Sequence, residues 1–113
     1  MTTYNPDRWV IVRIQCTSET AYKVLAGWGG GYLTGDSWQL NSGIARVEET
    51  PDHWVFHGHS GSVYKCGKSG YAMLMIMQGI WIQLKTRLGD RVVLMDEHTD
   101  WNSLVTDQPG VES

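Results

Sequence analysis

The hydrophobic period of this chain changes once, at Ser69, and that change limits what it can fold into. Upstream, β-branched and aromatic residues alternate in short segments separated by turn residues. Downstream, Leu74, Met77, Trp81, Leu84 and Leu88 recur at intervals of three and four, the spacing of one helical face. Met73, Ile76 and Ile80 widen the stripe to the breadth that packing on a sheet requires. Ser69 has N-cap chemistry and Gly89 suits the position after the last turn, so a helix over about 69–88 is predicted. Gly79 in its middle costs about 1 kcal/mol against alanine, which points to close packing there.

The upstream segments read as strands over 8–16, 20–26, 32–40, 44–49, 53–59 and 62–66, with a last strand over 91–95 after the helix. Thr17-Ser18-Glu19, Asn41-Ser42-Gly43, Thr50-Pro51-Asp52 and Ser60-Gly61 supply turns. The expected fold is α+β: a twisted, mostly antiparallel sheet of five to seven strands with one long helix on one face. At 113 residues this is a single domain over 1–113. Residues 96–113 hold five acids and no Lys or Arg; Trp101 and Leu104 are placed to pin the first half, and about 106–113 is expected to fray.

Composition excludes several classes. Hydrophobic residues at 42% and charged residues at 19% are too apolar and too weakly charged for disorder. Nine Lys and Arg against twelve Asp and Glu leave a net charge of −3, which argues against a duplex nucleic-acid binder. Cys16 and Cys66 are too few for a disulfide framework and are expected as small buried residues. The first residues carry no basic stretch followed by an apolar one. The apolar run from Tyr71 to Ile82 falls short of the ~20 residues of a membrane span. A soluble, cytoplasmic protein with reduced thiols and no membrane contact is the expectation.

Three groups of residues offer chemistry. His53, His57 and His59 alternate on one side of a strand, opposite Trp54 and Phe56. His57 and His59 are candidate zinc ligands if a nearby strand adds a third, with Asp36, Asp52 or His98 available; the plain alternative is three imidazoles on a wet sheet face. Gly67-Lys68-Ser69 stands between strand and helix, but a phosphate-binding loop needs a glycine at 62, where this chain has Ser62. What remains is a helix start with Lys68 near it, which is ordinary capping or an anion contact. Gly58-His59-Ser60-Gly61-Ser62 is not a nucleophile elbow, because position 62 is serine; a hairpin with glycine at positive φ explains it. The third group is the run from Gly27 to Trp38, where aromatics interleave with glycines. Its rings can form a stacking wall, with Trp28 the better candidate and Trp38 expected to cap the core.

The strings Gly35-Asp36-Ser37-Trp38-Gln39-Leu40-Asn41-Ser42-Gly43-Ile44, His57-Gly58-His59-Ser60-Gly61-Ser62-Val63-Tyr64-Lys65-Cys66 and Thr99-Asp100-Trp101 resemble those of small proteins of bacteriophages and mobile gene cassettes. His57 and His59 are not part of the shared pattern. The resemblance spans residues 9–101. It implies a small accessory protein of mobile DNA, and no catalytic role comes with it.

The leading expectation is therefore a non-enzymatic binding module for a small polar ligand or a host protein, using Trp28, Tyr32, Asp36, Trp38, Asn41, Ser60, Ser62 and Lys68. One alternative is a metal-dependent hydrolase, with zinc on His57, His59 and a carboxylate such as Asp36. The other is a structural homodimer joined at exposed strand edges, with no cofactor.

Overall fold

The computed structural model describes residues 2–29 and 37–106. Among the described residues there are eight strands: β1 (Thr3–Tyr4), β2 (Arg8–Gln15), β3 (Thr20–Trp28), β4 (Ser37–Leu40), β5 (Ile44–Glu49), β6 (His53–Gly58), β7 (Val63–Gly67) and β8 (Val92–Leu94). The α-helices among the described residues are α1 (Met75–Leu88) and α2 (Trp101–Thr106).

The class is α+β, but the single sheet of the sequence reading is two sheets of four strands. One runs β4-β3-β2-β8 and is antiparallel throughout. The other runs β1-β7-β6-β5, with only β1 parallel to its neighbour. Trp9, Ile11, Val24 and Ala26 of the first sheet share one core with Ile44, Phe56, Tyr64 and Cys66 of the second. Val10 and Leu25 face the other way and meet Met77 of α1. Strand β2 is thus covered on both faces, which is why Trp9, Val10, Ile11 and Val12 form an unbroken apolar run rather than an alternation. Alternation reads which residues are covered; it does not say that inner and outer covers are different layers.

Helix α1 begins six residues later than its periodicity suggests, and Ser69 lies in a short 3-10 turn over Lys68–Gly70. Tertiary bonds take the intervening chain. The Ala72 N–H donates to the Trp9 carbonyl at 3.2 Å, and the Tyr71 hydroxyl donates to the Met95 carbonyl at 2.5 Å while accepting from the Ile11 N–H at 3.2 Å. These bonds hold residues 71 and 72 extended beside β2, so no helix can start there. The apolar stripe itself is as read: Met77 is fully buried, and Ile76, Ile80, Trp81, Leu84 and Leu88 are half-buried. Gly89 ends the helix with φ +58°, as expected of its position.

Gly79 is not a close-packing site. A methyl group there meets nothing within 4 Å. Gly79→Ala should therefore stabilise the fold by about 1 kcal/mol, a rise of about 4 °C in Tm by calorimetry. No rise would show that this turn of α1 is not formed in solution.

The cysteines also divide. Cys66 is fully buried, and burial pushes its thiol well above the usual range; Cys16 is exposed at the β2–β3 turn, against expectation. A thiol reagent should label one site in the native protein and two in denaturant, with peptide mapping assigning the first to Cys16.

Trp101 and Leu104 pin α2 to the sandwich core, as their spacing implied. Among the described residues no helix is long and apolar enough to cross a membrane.

Candidate functional site

Asn41, Ser42 and Gly43 connect β4 of one sheet to β5 of the other, and this link meets the serine turn. The Asn41 N–H donates to the Val24 carbonyl at 3.0 Å, and its Oδ1 accepts from the Val24 N–H at 2.8 Å. The side chain thereby continues the strand pairing one residue past β4. Gly43 takes φ +134° and its carbonyl accepts from the His59 N–H at 2.9 Å. Ser42 Oγ accepts from the Ser60 N–H and lies 3.1 Å from Ser60 Oγ. The Ser62 carbonyl accepts the Gly58 N–H at 2.7 Å, and Gly61 takes the positive φ expected of it, +97°. The structure thus brings Asn41, Ser60 and Ser62 into one cluster. A Cβ on Gly58 would sit 3.3–3.4 Å from Asn41 Nδ2, Ser42 Oγ and the Ser62 carbonyl, so glycine is what lets the two loops close. Their groups mostly bond each other and tie the sheets together.

Lys68 stands elsewhere. Its Nζ pairs with Glu49 Oε2 at 2.6 Å and lies 5.4 Å from the centre of the Trp54 ring. Trp28 is half-buried, its indole N–H donates to the Asn5 carbonyl at 2.9 Å, and its ring packs on Tyr4 at 5.9 Å. Tyr32 and Asp36 lie outside the described residues.

His57 reaches Glu48 Oε1 through Nε2 at 2.5 Å, and Arg46 Nη2 lies 3.5 Å from its Nδ1. The tautomer that satisfies both contacts carries its proton on Nε2. The His57 hydrogen bond, with Arg46 beside it, holds the Glu48 carboxyl below the usual carboxylate range. His59 lies beyond the end of β6, with its ring against Gly43. Among the described residues no three His, Cys, Asp or Glu side chains converge as a metal site would need.

The sequence reading missed the surface beside Trp38. Trp38, named above both as a cap on the core and as a binding residue, is 42% exposed. The other described tryptophans are buried or half-buried. Trp38 and Leu40 share one face of β4, and with Ile80, Gln83, Leu84 and Arg87 of α1 they line a mostly apolar groove of about 150 Å³. Ile82, 61% exposed, stands on the adjoining helix surface. The available signal was an uncharged strand, Ser37-Trp38-Gln39-Leu40, with period-two apolar residues.

Two tyrosines, Tyr64 buried and Tyr71 half-buried, set an alkaline limit on this frame. Burial pushes Tyr64 and Tyr71 up to about 12. In the unfolded chain a tyrosine ionises near pH ~10, so the unfolded state loses these protons first. Stability is complete below pH ~10 and falls as pH rises toward 12. Tyrosinate absorbance should show two late-titrating groups that ionise together with loss of near-UV dichroism.

No protein family, curated protein or solved structure matches the chain.

Proposed function

We propose that the chain is a non-enzymatic binding module, an accessory protein of the kind carried by phages and gene cassettes, and that it works by protein contact through the β4–α1 surface. The observation that supports this is Trp38, the exposed tryptophan, set over an apolar groove at a sheet edge. Exposed aromatic side chains beside apolar pockets are the usual anchors of protein interfaces. The Ser60–Ser62 turn supports a small-ligand reading less well, because its polar groups already bond one another.

The test places a photo-reactive residue at position 38 in the producing cell, with position 65 as control on the exposed outer face of β7. The captured protein is identified, purified and titrated against the chain. Capture specific to position 38, and an affinity that falls about tenfold or more with Trp38→Ala, support the reading. Equal capture at both positions, or a change below twofold, overturns it.

A further inference from the structure

Sheet edges invite pairing with other chains, and folded proteins normally blunt them. Among the described residues three of the four sheet edges are blunted. β1 has two residues. β5 carries a bulge after Ile44 and the charges of Arg46, Glu48 and Glu49, and α2 lies against it. β8 has three residues, and its Val92 carbonyl accepts from Lys85 Nζ at 3.4 Å. Among the described residues β4, four residues long, carries no charge and no bulge.

The free groups of β4 can be assigned. Asn41 bonds Val24, and antiparallel pairing alternates, so Gln39 and Ser37 turn their amides toward β3. The N–H and C=O groups of Trp38 and Leu40 then point off the sheet. Their side chains line the groove on the α1 face.

We propose that this edge joins two copies of the chain. β4 pairs antiparallel with the same strand of the second copy about a two-fold axis, and each Trp38 enters the other copy's groove against Arg87. This rests on the binding reading above and names its partner. Three observations favour a second copy. Every side chain on β4 is uncharged, so self-pairing sets no like charges opposite each other. The projecting ring and the groove that receives it lie on the same surface, as a two-fold contact requires. Arg87 forms no ion pair among the described residues and is one of the residues lining the groove, so a cation is available to an entering indole ring.

The experiment is sedimentation velocity on the full chain from about 1 µM to about 100 µM, the range of a small interface. The expected species has twice the 12.7 kDa chain mass. Trp38→Lys and Leu40→Pro should each weaken association by about tenfold or more while circular dichroism stays that of the parent; the Leu40 variant also loses packing on Leu25, so its Tm falls and it is measured well below that Tm. Two different atoms of the edge are thereby tested, one side-chain and one main-chain. Arg87→Gln should weaken it less. A parent chain monomeric throughout overturns the proposal, as does a dimer that both edge variants retain. A monomer that is still captured through position 38 by another protein overturns self-pairing alone; a monomer with no such capture overturns the binding reading too.

Discussion

Trp9→Ala is expected to remove about 3–5 kcal/mol from a total that is about 5–15 kcal/mol for a domain of this kind. Trp9 is buried among Phe56, Tyr71 and Trp101, at centroid distances of 5.4, 4.8 and 5.9 Å. It touches both sheets, the segment leading into α1, and α2. Its indole N–H also donates to the Gly67 carbonyl at 2.7 Å, at the end of β7. Alanine leaves a cavity where four elements meet. Trp9→Phe keeps most of the ring and loses the hydrogen bond, at about 1 kcal/mol plus the cost of a smaller ring. Urea unfolding followed by circular dichroism separates the two. A loss below about 1 kcal/mol for alanine would mean that this cluster does not hold the layers together.

Asn41→Ala should cost about 1–3 kcal/mol, because it leaves the Val24 N–H buried without an acceptor. Asn41 is a buried polar residue whose Oδ1 is used and whose Nδ2 has no partner. Asn41→Asp keeps the acceptor but buries an acid. Burial favours the protonated acid, so the folded-state pKa of the new carboxyl is raised. That variant should be most stable at acid pH and lose stability as pH rises through the titration. Thermal melts across pH read both effects. An unchanged Tm for the alanine variant would instead place Asn41 at a solvated surface, as a ligand-binding role alone would predict.

The strand positions were legible because each depends on near neighbours. Residues 44–49 were read with the bounds that β5 has, and Phe56 fell on the covered side as its alternation with the histidines implied. Gly61 and Gly89 were read from turn and cap chemistry, which is also local. The start of α1 was not legible, since Tyr71 and Ala72 are held by Trp9, Ile11 and Met95, far away in sequence. The different surroundings of the tryptophans were not legible for the same reason. Trp28 and Trp38 occupy similar glycine-rich surroundings, but one lies against Tyr4 and the other at a free edge.

The sequence by itself determined the α+β class, the order of β2 to β8 with the long helix before the last strand, and the apolar face of α1, but not β1 or α2. Those follow from side-chain periods of two and 3.6, which any stretch of chain expresses alone. Only the tertiary structure decided that the strands divide into two sheets, that Asn41 and the serine turn tie those sheets together, and that β4 stands at the end of its sheet among the described residues. Each of these depends on which distant strands pair. A hydrophobic pattern says that a face must be covered, and the pairing of remote segments decides what covers it.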